Sequence, residues 1–383
     1  EASEQLIYMN NAATTWPKPP EVIEEVRRCL SLPFFEEGRS TLGGQQDYPR
    51  ETRELLANFF HAGPPENFVF TQNATDSLNM AIHGFLHRLG KPCHVITTEL
   101  EHNSVLRPLR TLERDRKISL SLVPFDARGY VTPDAVKDAL RDDTRLAVMT
   151  HGSNVLGTVQ DIRRIGELLL ANDVFFIVDG AQTTGQIPID LGSMPLDVFA
   201  FTGHKALFGI PGIGGFFIRD PGRVDPVRQG GPGTTSAYPY QEEEMPARFG
   251  AGTLNYPGIA SLGAGIRFLK ERGIGNIERE TMAMTGYLVS RLKSTGSVVM
   301  DNMDPDLPIV SLNVKGMEPE KAGFILARIY GIIARTGLHC APLVHTRING
   351  GRGSVRLSLS CLNTMEECEL VADAVGEVAR GAG

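Results

Sequence analysis

The chain has 383 residues, of which 42% are hydrophobic and 22% charged, and it carries a formal net charge of −7 at pH 7. These values exclude a disordered or fibrous chain and give room for about two domains by the rough rule of 150 residues each. The acidic sign argues against nucleic acid as a partner, and no apolar run approaches the roughly 18 residues of a membrane span. The first residues lack a basic stretch leading into a long apolar one, so a cytoplasmic location without membrane attachment is expected. The sequence opens on Glu1 rather than Met, which leads to the expectation of a processed or trimmed start. Cys29, Cys93, Cys340, Cys361 and Cys368 form no CxxC pair and no even framework, so neither structural zinc nor a disulfide scaffold is expected.

From about residue 68 to 219, short apolar runs alternate with helical patterns, the signature of βαβ units and a mostly parallel sheet. "NFVFT", "HVITTE", "ISLSLVPF", "RLAVMTH", "VFFIVDG", "DVFAFTG" and "GGFFIR" read as strands. "ATDSLNMAIHGFLHRL" and "DIRRIGELLLAND" read as helices over the sheet, the second with apolar Ile162, Ile165, Leu168 and Leu169. A Gly/Pro/Thr-rich segment, 229–253, is too long for a simple connector and reads as a functional loop. Helices over 258–272 and 276–293, strands "PIVSLNV", "IIARTG" and "VRLSLS", and a helix over 364–379 then suggest a smaller α+β domain.

Sheets of this kind bind ligands at the carboxyl ends of their strands. "VFFIVDGAQ" ends a strand on Asp179, and Lys205 follows the next apolar run. That pair suits pyridoxal phosphate, whose aldehyde joins a lysine while an acid holds the pyridine nitrogen protonated. The two residues alone leave open a snorkelling lysine and a helix-capping aspartate. The turn before "ATDSLN" offers an anion the N–H groups of Ala74, Thr75 and Asp76 and the Thr75 hydroxyl, although Asn73 or Thr75 could simply cap the helix. His102 follows another strand and could stack on a ring or shuttle protons, or be structural. Asn154 and Gln182 place donors at two further strand ends.

"YMNNAATTWPKPPEV", "NATDSLN", "ELEHNSV", "SNVLGTVQDI", "VDGAQ", "FTGHK", "RFGAGTLN" and "RTGLHCA" together resemble the cysteine desulfurases of the class V aminotransferase group, in particular their sulfur-mobilisation and selenocysteine-lyase branch. The resemblance runs in order through nearly the whole chain. It implies an α/β protein of the pyridoxal-phosphate-dependent transferase fold type I, with a mostly parallel mixed sheet in a large domain, 15–255, and a smaller α+β domain from 1–14 and 256–383. Pyridoxal 5'-phosphate is the implied cofactor. Lys205 would carry it, Asp179 would meet its ring nitrogen and His102 would lie over the ring. Gln182 and Asn154 would lie near the ring oxygen, and Ala74, Thr75, Thr202 and His204 around the phosphate. In relatives the threonine of the "AGT" motif reaches the phosphate of a neighbouring subunit, a role that falls to Thr253 and implies a homodimer.

The resemblance also gives Cys340, in an "RxGxHCA" loop, the part of nucleophile toward the sulfur of L-cysteine, releasing alanine and leaving a persulfide for an acceptor protein. Arg335 and His339 flank it in sequence. Arg356, on a strand of alternating apolar residues, would clamp the substrate carboxylate, with Arg335 and Asn154 nearby. The other four cysteines sit in helix or strand patterns and read as packing residues. Two rival functions stay open: a selenocysteine lyase or other C–S β-lyase or aminotransferase of the same group, and a non-enzymatic sulfur carrier, against which Lys205 argues. Asn10 stands where many relatives carry Asp, Gly250 where many carry Glu, and the segment 229–247 with its "EEE" is individual.

Overall fold

A computed structural model describes residues 6–34, 46–231 and 237–381. In chain order the elements are β1 (Ile7–Tyr8), α1 (Pro20–Leu30), α2 (Tyr48–Phe59), β2 (Phe68–Thr71), α3 (Ala74–Leu89), β3 (Cys93–Thr98), α4 (Asn103–Arg114), β4 (Ile118–Val123), α5 (Pro133–Ala139), β5 (Thr144–Thr150), α6 (Ile162–Ala171), β6 (Phe175–Asp179), β7 (Val198–Thr202) and β8 (Gly214–Ile218). They continue as α7 (Tyr256–Arg272), α8 (Ile274–Lys293), β9 (Val298–Met300), β10 (Ile309–Val314), α9 (Pro319–Tyr330), β11 (Ile332–Ile333), β12 (Arg335–Gly337), α10 (Pro342–Asn349), β13 (Ser354–Ser358) and α11 (Met365–Arg380). No described helix is long and apolar enough to cross a membrane.

The seven apolar runs of the first half build one sheet in the order β2-β8-β7-β6-β5-β3-β4. It is parallel except for β8, which runs against both β7 and β2. Successive side chains of a strand point to opposite faces, and here both faces are covered. Phe175, Ile177, Val198 and Ala200 pack with Leu78, Ile82 and Phe85 of α3 and Leu109 of α4. Phe176, Val178, Phe199 and Phe201 pack with Leu56 of α2, Ile165 and Leu169 of α6 and Ile259 and Leu262 of α7. Burial on both faces explains why these strands are continuous apolar runs rather than alternating ones. β4, at the sheet edge, alternates in sequence and is partly exposed.

A second, antiparallel sheet has the order β12-β13-β10-β9. Its core joins Val310, Leu312, Val355 and Leu357 to Leu288 and Leu292 of α8, Leu326 of α9 and Val371 and Val375 of α11. α11 begins with a reciprocal cap between Thr364 and Glu367. The run "IIARTG" is not one strand. Ile332–Ile333 pairs in parallel with Ile7–Tyr8, whereas Arg335–Gly337 pairs with β13, so the chain changes partners at Ala334. Cys29, Cys93 and Cys368 are buried in α1, β3 and α11, but Cys361 is buried in a turn after β13 rather than in a regular element. Of the loop 229–253, residues 232–236 lie outside the described residues, and Gln241 fastens the remainder by donating to the carbonyls of Ala247 and Gly250.

Candidate active site

The carboxyl ends of β5, β6 and β7 lie side by side, with Thr150 opposite Asp179 and Asp179 opposite Ala200. A cavity of about 240 Å³ opens beyond them. Asp179 and Lys205 both line it. Asp179 is buried and accepts from the Ala181 N–H at 3.0 Å. Burial pushes its carboxyl up, and Lys205 together with that hydrogen bond pulls it back. Burial draws the Lys205 amine down to about 8, against the pull of Asp179. Lys205 is therefore within reach of its neutral, nucleophilic form near physiological pH.

His102 is the N-cap of α4, and its Nδ1 accepts from the Ser104 N–H at 3.0 Å. Burial, then Lys205 and Arg335, holds it down to about 4. The ring is thus neutral at pH 7 with its proton on Nε2, suited to stacking or to giving that proton away.

The other end of the cavity meets the start of α3. Asn73 caps that helix by accepting from the Asp76 N–H at 3.0 Å, which removes Asp76 from the donors expected to face an anion. Ala74 and Thr75 line the cavity, and their N–H groups, in the first turn, have no intrahelical acceptor. Thr202 Oγ1 is buried without a partner among the described residues. His204 also lines the cavity, and burial lowers it to about 4. A β-carbon on Gly214 would come 2.7 Å from Asn73 Cα, so glycine there lets the turn before α3 close over β8.

Arg335 and Arg356 face each other across β12 and β13 and both line the cavity. Arg356 is 1% exposed. Its Nη1 donates to the Asn154 carbonyl at 3.0 Å, while Nε and Nη2 have no partner among the described residues. A buried guanidinium with unused donors suits a carboxylate. Arg335 Nη2 lies 3.5 Å from Cys340 Sγ. Asn103 N–H donates to the Cys340 carbonyl at 2.7 Å, and Asn154 Nδ2 to the His339 carbonyl at 2.6 Å. Both His339 and Cys340 have left-handed backbones, with φ of 51° and 58°.

A sequence model described as "Aminotransferase class-V" matches residues 7–371. The chain is 33% identical to a probable cysteine desulfurase of Methanothermobacter thermautotrophicus, over 97% of this chain and 94% of that one. It is 29% identical to a probable cysteine desulfurase of Pyrococcus abyssi, over 99% and 95%. Among solved structures, the apo form of a cysteine desulfurase from Thermococcus onnurineus superposes with a TM-score of 0.89 at 29% identity, covering 98% of this chain and 95% of that one. The chain belongs to the class-V aminotransferase family.

The fold of this class-V family member is the type I fold of pyridoxal-phosphate-dependent transferases, as the resemblance implied. Of the residues singled out in the sequence, Ala74, Thr75, His102, Asn154, Asp179, Gln182, Thr202, His204, Lys205, Arg335 and Arg356 line one cavity. Gln182 Nε2 donates to the Ala12 carbonyl at 3.1 Å. Cys340 and Thr253 are not among them: Cys340 is half-buried beside Arg335, and Thr253 is exposed in a separate cleft with Gly250. Asn10 bridges to Ser358, with Oδ1 buried and unpaired among the described residues. Sequence reasoning gave no role to Ala12, Ala13, Ser104, Thr150 or Gly152, which also line the cavity. Ala12 and Ala13 lie in the run "NNAATT", Thr150 and Gly152 at and just past the end of β5, and Ser104 in the first turn of α4.

Proposed function

We propose that this class-V family member is a pyridoxal 5'-phosphate-dependent cysteine desulfurase that converts L-cysteine to L-alanine and keeps the sulfur as a persulfide on Cys340. The observation that carries the reading is Cys340 Sγ beside the cavity-lining Arg335. The cavity's donors fit the cofactor: Thr202 Oγ1 is a buried, unpaired hydroxyl next to the first turn of α3, and Asp179 is a buried carboxylate near Lys205. When bound, the cofactor acts as an electron sink that weakens bonds at the substrate α-carbon.

Lys205 would hold the cofactor and, once released by the incoming amine, move the α-proton. Asp179 would keep the ring nitrogen protonated. Gln182 and Asn154 would face the ring oxygen and His102 the ring. Ala74, Thr75, Thr202 and His204 would hold the phosphate. Arg356 would take the substrate carboxylate through Nε and Nη2, and Arg335 would hold the sulfur of Cys340. Cys340 then attacks the substrate sulfur. The S–S bond forms, and the C–S electron pair stays with carbon for protonation to alanine. The exposure of Thr253 outside the cavity supports the reading that it serves a neighbouring copy in a homodimer. A sulfur-acceptor protein would discharge the persulfide.

The test is alanine and sulfide release from L-cysteine with a thiol reductant, beside L-selenocysteine, for wild type and Cys340→Ala. Equimolar products lost in the variant are expected. Selenide release that survives the substitution, with little turnover of cysteine, would make the chain a selenocysteine lyase instead.

A further inference from the structure

The motif "TTWPKPP" follows directly on the cavity-lining Ala12 and Ala13. Lys18 sits in a proline-rich stretch, and the residue before a proline is pushed toward extended backbone, so its direction is set at little entropic cost. Its Nζ donates to Thr15 Oγ1 at 2.7 Å and to the His204 carbonyl at 2.9 Å. Thr15 Oγ1 lies 2.8 Å from the Lys205 carbonyl, to which it donates. The His204 carbonyl also accepts from the Thr15 N–H at 3.1 Å and from Thr14 Oγ1 at 3.0 Å. The two peptide carbonyls at the cofactor lysine are thus gripped by a segment about 190 residues earlier.

The grip is anchored at its other end. Asn11 Nδ2 donates to the Ser358 carbonyl at 3.1 Å and the Ala12 N–H to Ser358 Oγ at 2.9 Å. Ser358 ends β13, the strand that carries Arg356. The segment from Asn11 to Lys18 therefore spans from the strand of one expected substrate contact to the turn of the cofactor lysine. Burial, with no opposing carboxylate among the described residues, draws Lys18 itself down to about 8. Desolvating an ammonium against neutral acceptors alone is unfavourable, which calls for a compensating role.

We propose that Lys18 is a positioning residue for Lys205: its ammonium holds Thr15 Oγ1 and the His204 carbonyl, and Thr15 in turn fixes the Lys205 carbonyl and with it the direction in which the Lys205 amine enters the cavity. This rests on the reading of Lys205 as the cofactor lysine.

The experiment uses the cofactor-loaded protein as wild type, Lys18→Met, Lys18→Arg, Thr15→Val and the Lys18→Met/Thr15→Val double variant. Three quantities are followed: the pH midpoint at which the visible band of the lysine-bound cofactor titrates, kcat against KM for L-cysteine, and the melting temperature. Lys18→Met is expected to lower kcat about tenfold with KM unchanged, the loss of one charge-assisted hydrogen bond, and to displace the midpoint. Lys18→Arg restores both. Thr15→Val, which alters no charge, displaces the midpoint as well, and the double variant loses less than the sum of the singles because the contacts are in series. If Lys18→Met does not fold, Thr15→Val decides alone. A wild-type protein with no such band overturns the cofactor reading and the proposal with it. A wild-type band whose midpoint and kcat are unmoved in the variants, with only the melting temperature lowered, overturns the positioning role and leaves the cofactor reading standing.

Discussion

Arg356 donates from Nη1 to the backbone carbonyl of Asn154 at 3.0 Å, and the Asn154 side chain donates onward to the carbonyl of His339 at 2.6 Å. One residue therefore ties the expected carboxylate clamp to the loop that holds Cys340. Asn154→Ala is expected to free that loop and lower kcat for alanine formation about tenfold, the scale of one buried hydrogen bond with its unsatisfied partner. Steady-state kinetics at cofactor saturation checks this, and an unchanged kcat would sink the coupling.

Arg356 has two buried nitrogens left for a ligand. Arg356→Lys keeps a charge but loses the fork geometry. The KM for L-cysteine should rise about 100-fold with kcat little altered. A kcat that falls in step with kcat/KM would instead place Arg356 in the transition state alone.

Lys205 has a folded value of about 8 against an ordinary 10.5. Between these values the unfolded chain binds the additional proton, so stability rises with pH. The contribution of the neutral amine is complete above 10.5 and lost as pH falls through 8. Cofactor-free protein should thus gain melting temperature across that window relative to its Lys205→Met variant. Parallel melting curves for the two proteins would refute it.

Glu101 behaves in the opposite sense. It is fully buried, accepts from Thr98 Oγ1 at 2.6 Å and from the Thr150 N–H at 3.0 Å, and leaves Oε2 unpaired among the described residues. Burial raises it from 4.5 to about 8. Its protonated form stabilises the fold fully below 4.5, and that stability is lost as pH rises through 8. Glu101→Gln keeps an acceptor and a neutral group, so it should flatten the fall in melting temperature between those values. A fall as steep as in wild type would show that another group causes it.

The strands of the large sheet could be read from sequence because burial on both faces leaves no polar interruption in runs such as Phe175–Asp179 and Val198–Thr202. Lys205 and Asp179 were legible because charges at or just past the ends of such runs stand out. The break at Ala334 was not, since both halves of "IIARTG" suit a strand and only the partners, Ile7–Tyr8 and β13, distinguish them. Lys18 and Glu101 escaped for a related reason. Their significance lies in contacts to His204 and Thr150, far along the chain, and local pattern carries no record of such contacts. The sequence leaves the Asp76 N–H open to an anion or to a helix cap, a choice that side-chain geometry settles in favour of the Asn73 cap.

The left-handed backbone at His339 and Cys340 has a consequence for how this loop tolerates change. A side chain at such an angle costs roughly 1 kcal/mol that glycine escapes. Cys340→Gly should therefore melt slightly above Cys340→Ala, although both lack the thiol, and differential scanning calorimetry would detect the order. Robustness and the proposed chemistry thus pull in opposite directions at this position, and a screen for thermal tolerance alone would discard the residue proposed to carry the sulfur.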